Sequence, residues 1–295
     1  MTLLNDFAKP TFEPTQTKKF RVMTVYIARL MNAAIVGCFS LVLASTSHGQ
    51  SNSPKPLVNA HAHNDYAHDR PLLDALDHGF TSIEADVFLV DDELLVAHYL
   101  KDVQKERTLE SLYLQPLWER FEKNQGSIYT EKTPVTLLVD IKNQGPATYA
   151  VLHQQLERYS KMLSATRDGV HKPGAVTVIV SGDRPVEQIK SSNPRYVGTD
   201  GRIADLKSDS DASLFPLISD NWQLQFKYRG KGEFSADEKT KLQDIVSQAH
   251  AKGRRVRFWA TAESEELWNE LRSADVDLIG TDNLEKLSNY LKVQR

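Results

Sequence analysis

Short apolar runs alternate with longer amphipathic stretches along most of this chain. That alternation constrains the fold more than any other feature of the sequence. The strand candidates are residues 57–61, 82–89, 94–98, 135–141, 176–180, 196–198, 217–218, 256–259 and 276–280. Several are apolar and β-branched throughout, which is the pattern of parallel strands covered on both faces. Helical periodicity fills 71–78, 109–124, 148–164, 236–252 and 264–274. The order predicts an α/β fold with a parallel sheet. Without an internal repeat or long linker, it reads as a single (β/α)8 TIM barrel.

The first 49 residues follow another pattern. Lys18, Lys19 and Arg21 are basic, a mostly apolar run spans 30–44, and Ser45, Thr46, Ser47, His48 and Gly49 are small or polar. Basic region, short apolar core and small-residue end form the order of a secretory signal. The apolar run is shorter than the roughly 20 residues of a membrane span. The expectation is export, periplasmic or secreted, after cleavage near Gly49. A lipoprotein signal ending at Cys38 is disfavoured because the apolar run continues past it. Residues 50–295 are then the barrel domain, close to the roughly 250 residues of one barrel. They carry 31 basic and 37 acidic residues, so no nucleic-acid partner is expected. Cys38 is the only cysteine. The domain therefore has no disulfide, thiolate nucleophile or cysteine-type zinc site.

Barrel enzymes place their chemistry at the C-terminal ends of strands, and here those ends are polar. The first strand runs into His61-Ala62-His63-Asn64-Asp65, the second carries Glu84 and Asp86, the next extended segment ends at His98, and a later strand ends in Asp140-Ile141-Lys142. Side chains alternate along a strand, so Glu84 and Asp86 share a face, as do His61 and His63. Paired carboxylates on an inward face are costly unless a cation neutralises them. Carboxylate ligands without cysteine favour a hard cation, Mg²⁺ or Ca²⁺.

Taken together, His61, Ile83-Glu84-Ala85-Asp86-Val87 and Val96-Ala97-His98 resemble the glycerophosphodiester phosphodiesterase family, one of the phosphatidylinositol-phospholipase-C-like barrels. His61-Ala62-His63-Asn64-Asp65-Tyr66, Pro71 to Leu76 and Asp91-Asp92-Glu93-Leu94 are similar to the subgroup of altered inheritance of mitochondria protein six. The resemblance implies a metal-dependent phosphoric diester hydrolase for a glycerophosphodiester- or phosphoinositide-like substrate, a small molecule or lipid head group. It implies His61 and His98 as general acid and base, Glu84, Asp86 and Asp140 as ligands of one divalent cation, and Lys142 as a phosphate contact. His63 and Asn64 join as substrate-binding residues: Ala62-His63 stands where the family usually has Arg-Gly, and Asn64 replaces part of the family's usual Glu-Asn pair. That departure leaves His61 and His63 competing for one catalytic role. Asp140 also replaces the usual glutamate.

Plainer roles are assigned elsewhere. Asp65, Asp91 and Asp92 read as turn residues, Asp282 as the N-cap of the last helix, and Trp222 and Trp259 as core. Two rival functions remain. His61-x-His63 could open an amidohydrolase-like metal site, although such sites also need histidines at the ends of the fifth and sixth strands, which here end in Gly198-Thr199-Asp200 and Ser219-Asp220. A non-catalytic barrel binding a phosphate ligand is the other. No stable protein partner is implied.

Overall fold

The computed structural model describes residues 54–293; the leader, Cys38 and the expected cleavage point near Gly49 lie outside the described residues. In chain order the elements begin with β1 (Leu57–Ala62), α1 (Leu73–His78), β2 (Phe80–Val90), β3 (Glu93–Val96), α2 (Gln115–Lys123), β4 (Val135–Ile141) and α3 (Gly145–Arg158). A hairpin, β5 (Ala165–Arg167) and β6 (Val170–Lys172), precedes β7 (Val176–Gly182), α4 (Val186–Ser191), β8 (Val197–Gly201) and β9 (Leu217–Asn221). The chain continues through α5 (Trp222–Gln225), α6 (Ala236–His250), β10 (Arg255–Trp259), α7 (Glu265–Ser273), β11 (Leu278–Thr281) and α8 (Leu284–Val293).

Eight strands pair in parallel in the order β1, β2, β4, β7, β8, β9, β10, β11, and β11 pairs with β1 again, which closes a TIM barrel. Closure leaves the barrel strands buried on both faces, which is why β2 is buried over its first nine residues. Serine caps start the long helices where the sequence turns from strand to helix. The side chain of Ser235 accepts from the Glu238 amide and that of Ser264 from the Leu267 amide.

Several local expectations are corrected. The segment at 94–98 supplies a four-residue antiparallel return off β2 and not a barrel strand. Asp91 and Asp92 make the turn, with φ of 50° and 62°, values that short acidic side chains tolerate. The helix expected over 148–164 runs instead from Gly145, with Pro146 in its first turn, to Arg158. The hairpin β5–β6 and the short helix α4 had no clear sequence signal. Asn283 caps the last helix, its side chain accepting from the Lys286 amide, so Asp282 is free for another role.

Along β4, Thr136, Leu138 and Asp140 share one face. Leu138 meets Ile179, Leu217 and Leu278 in a small buried cluster apart from the main core. These four come from β7, β9 and β11 as well as β4, so they meet inside the barrel. They form an apolar layer with polar side chains at either end. Among the described residues no helix is long and apolar enough to cross a membrane.

Candidate active site

The C-terminal mouth gathers the carboxylates that strand alternation placed on one face. Asp86 of β2 sits opposite Asp140 of β4 in register. One oxygen each from Glu84, Asp86 and Asp140 lie within 4.8 Å of one another. Among the described residues this is the one group of at least three His, Cys, Asp or Glu side chains spaced to hold a metal ion, and neither His61 nor His63 belongs to it. That spacing speaks against the amidohydrolase-like reading, which needs His61-x-His63 as ligands.

Each carboxylate is compensated differently. Glu84 is buried, which raises its pKa, but Arg257 and then His61 outweigh that and hold it well below the usual carboxylate range. Arg257 Nη2 donates to Glu84 Oε2 at 2.7 Å, and His61 Nε2 lies 3.0 Å from the same oxygen. Asp86 Oδ2 has three neighbours: Tyr66 Oη at 2.8 Å, His98 Nδ1 at 2.9 Å and Lys142 Nζ at 2.9 Å. Its Oδ1 is buried with no hydrogen-bond partner, an unmet acceptor that a cation would satisfy. Burial pushes Asp140 up to about 6, opposed by Lys142 and reinforced by Asp86 and Glu84. Lys142 Nζ lies 3.3 Å from Asp140 Oδ1. Burial lowers the Lys142 pKa, but Asp140 and Asp86 outweigh it and leave the ammonium favoured.

The three histidines occupy different surroundings. His61 is 0 % exposed, with Nδ1 2.7 Å from Ser82 Oγ and Nε2 against Glu84. Burial, then Arg257, pulls its pKa down to about 3, so the ring is neutral. His63 has a side chain 34 % exposed, its Nδ1 2.7 Å from Asp282 Oδ1 and its Nε2 3.9 Å from Glu84 Oε1. Burial lowers its pKa, but the hydrogen bond to Asp282 and the charge of Glu84 outweigh that and raise it. The His98 side chain is 48 % exposed and presents Nδ1 to Asp86.

Asn64 adopts the left-handed conformation (φ 48°) that asparagine tolerates. This turns its side chain inward, donating to Asp282 Oδ1 at 3.2 Å and accepting from Tyr66 Oη at 2.5 Å. Tyr66 Oη is also 3.0 Å from His98 Nδ1, so a continuous polar chain joins the two exposed imidazoles. A cavity of about 160 Å³ borders His63, Arg257, Trp259 and Asp282, and one of about 300 Å³ borders Asn64, Tyr66, His98 and Asp282. Trp222 is core as expected, whereas Trp259 stands exposed at the rim.

Arg257, Tyr66 and Asp282 were missed as site residues. The signal for Arg257 was present: Arg255 and Arg257 alternate within an otherwise apolar strand, which marks an inward charged face. Asp282 was given a capping role, and Tyr66 was quoted within its motif without a function.

The chain is thus a closed TIM barrel whose carboxylates and imidazoles gather at the C-terminal mouth. A model of the AIM6-like phosphodiesterase domain matches residues 53–200, and the chain belongs to that family. The matched span carries the three carboxylates, Lys142 and the histidines; Arg257 and Asp282 come from beyond it. An altered inheritance of mitochondria protein 6 homolog from Arthroderma benhamiae is 28% identical, over 79% of this chain and 83% of that protein. Altered inheritance of mitochondria protein 6 from Eremothecium gossypii is also 28% identical, over 79% of this chain and 69% of its own length. In three dimensions the chain is similar to a glycerophosphodiester phosphodiesterase from Parabacteroides distasonis, with TM-score 0.50 and 17% identity, covering 81% of this chain and 99% of that one. The structural likeness establishes the barrel fold.

Proposed function

We propose that this protein hydrolyses phosphodiesters with the help of one divalent cation, using His63 and His98 as the acid–base pair. The observation that carries the reading is the carboxylate cluster of Glu84, Asp86 and Asp140 flanked by two exposed imidazoles at one barrel mouth. Glu84, Asp86 and Asp140 would hold the cation, Mg²⁺ or Ca²⁺, as hard oxygen ligands. When bound, it would offset negative charge on the phosphoryl oxygens.

The sequence alone favoured His61 as the first catalytic histidine; the proposal assigns that role to His63. Both ring nitrogens of His61 are engaged and the side chain is sealed from solvent. An acid or base must come within hydrogen-bond reach of the proton it moves. His63 leaves Nε2 facing the mouth while Asp282 orients its Nδ1. One of the two exposed imidazoles takes the proton of the attacking hydroxyl as its oxygen bonds to phosphorus. The other returns a proton to the ester oxygen as the old P–O bond breaks. Lys142, between Asp86 and Asp140, would bind the phosphate, and Asn64 would hold His63 and Tyr66 in place. His61 acts through Glu84 as a positioning residue.

The substrate class proposed is a glycerophosphodiester or phosphoinositide, in which a hydroxyl lies next to the ester. Holding the nucleophile on the substrate supplies effective concentration without a serine or cysteine from the protein. The proposed setting is outside the cytoplasm, supported by the order of charge and apolarity in the leader. Hydrolysis of such diesters, compared with analogues whose vicinal hydroxyl is methylated and followed by ³¹P NMR, tests the substrate reading. Faster cleavage of the free hydroxyl with a transient cyclic phosphate is expected; equal rates would reject the intramolecular route.

A further inference from the structure

The opposite, N-terminal mouth of the barrel is also polar. Thr136 of β4, two residues before Leu138, and Thr177 of β7, two before Ile179, lie on the inward faces of their strands beyond the apolar layer. They line a cavity of about 600 Å³ together with Thr166, Ser213, Arg195 and Arg255. That volume falls within the range of small-molecule sites.

Arg255 reaches across this mouth from β10 to β4 and donates through Nη2 to Thr136 Oγ1 at 2.7 Å. Among the described residues its guanidinium makes no other hydrogen bond and no ion pair. Asp277, the charge nearest in effect, is occupied by His250 Nε2 at 2.8 Å and the Val256 amide at 2.7 Å. Arg195, almost fully buried, donates only to neutral acceptors: the carbonyls of Val197 and Ser213 and the hydroxyls of Ser213 and Thr166. The one carboxylate of the lining, Asp211, accepts from the Ser213 amide at 2.6 Å. Two guanidiniums thus line a hydroxyl-rich hollow with no ion-pair contact to either, and Asp211, which acts on Arg195, is the one carboxylate charge among the lining residues. Guanidinium has five donors in a fork that suits oxyanions, and most of Arg255's remain open.

We infer that the N-terminal cavity is a second, non-catalytic oxyanion site that takes a small phosphomonoester, with Arg255 as the anion fork and the threonine hydroxyls as neutral donors. The Leu138, Ile179, Leu217 and Leu278 layer separates it from the carboxylate mouth, so its ligand is not the scissile phosphate. The inference is independent of the proposed catalysis.

Titration calorimetry on the full chain in EDTA, with inorganic phosphate and with glucose 6-phosphate, tests it. The expected result is binding that survives Lys142→Ala and weakens at least about tenfold in Arg255→Gln, through loss of a charge-assisted contact. Val58, at the cavity rim and 57% exposed, offers a second variant that leaves the core intact. Val58→Glu is expected to weaken binding by repulsion even if Arg255→Gln does not fold. Tighter binding of the sugar phosphate assigns the hydroxyls to the polyol, and equal affinity assigns the site to free phosphate. Absence of binding, binding indifferent to both variants, or binding lost in Lys142→Ala would overturn the inference.

Discussion

His61 and His63 are two residues apart on the same strand face, yet their environments predict opposite consequences on removal. His61→Ala takes a buried partner from Glu84 and leaves a hole, so it should lower stability by about 2–4 kcal/mol. His63→Ala removes a half-buried group and His98→Ala an exposed one, so each should lower the thermal midpoint much less than His61→Ala while lowering the rate at least about 10²-fold. Melting curves and turnover on the three variants separate these effects. Normal turnover in the His63 variant would return the catalytic role to His61. Asp65, read from sequence as a turn residue, is a buried strut: its carboxylate accepts from the Leu72 amide and from Tyr113 Oη at 3.0 Å. It holds Leu72 at φ 64°, a left-handed conformation costly for leucine. Burial, partly offset by those two hydrogen bonds, pushes its pKa up to about 7. A raised folded pKa favours the protonated form, so its contribution is complete below pH 4 and lost as pH rises toward 7. That contribution is at most about 4 kcal/mol on the pKa-to-energy scale. Denaturant midpoints should fall over this window in the parent and fall less in Asp65→Asn. Parallel pH profiles would contradict the assignment.

At the level of elements, strand alternation made most of the site legible. Glu84, Asp86, Asp140 and Lys142 could be placed because a strand has a two-residue period and barrels put chemistry at strand ends, whereas His98, beyond an antiparallel return, was flagged by the resemblance. What was not legible depends on closure. Arg257 follows Glu84 by 173 residues and meets it only because β10 and β2 are walls of one barrel. Asp282 meets His63 because β11 pairs with β1. Local signals also failed where tertiary context decides: the helix expected over 148–164 ends at Arg158, and the hairpin β5–β6 just beyond it carried no clear signal. The Arg257–Glu84 pair gives this level its own prediction. Both side chains are nearly inaccessible, and breaking a buried pair strands a charge at about 3–5 kcal/mol. Arg257→Gln should therefore melt well below the parent in EDTA, and added Mg²⁺ or Ca²⁺ should recover part of the loss by supplying positive charge to Glu84. Equal losses with and without the cations would show that Glu84 does not sense a bound cation.

At the scale of the whole molecule, the barrel holds two polar mouths apart with an apolar layer. Its acidic domain carries the carboxylate cluster at one mouth and the paired guanidiniums at the other. The family match ends at residue 200, yet the site is completed by β10 and the end of β11. Residues beyond the match therefore belong to the catalytic unit in this account. Its central claim is that the carboxylate mouth is a cation-dependent phosphodiesterase centre. The most direct measurement is turnover of a phosphodiester panel by the purified protein in Mg²⁺, Ca²⁺ or EDTA, alongside Glu84→Gln and Asp86→Asn. The account predicts diester cleavage with one of the two cations, none in EDTA, and none in either variant, with Asp86→Asn, which leaves the Arg257–Glu84 pair intact, keeping its fold by circular dichroism. Turnover in EDTA equal to that with cation would contradict it.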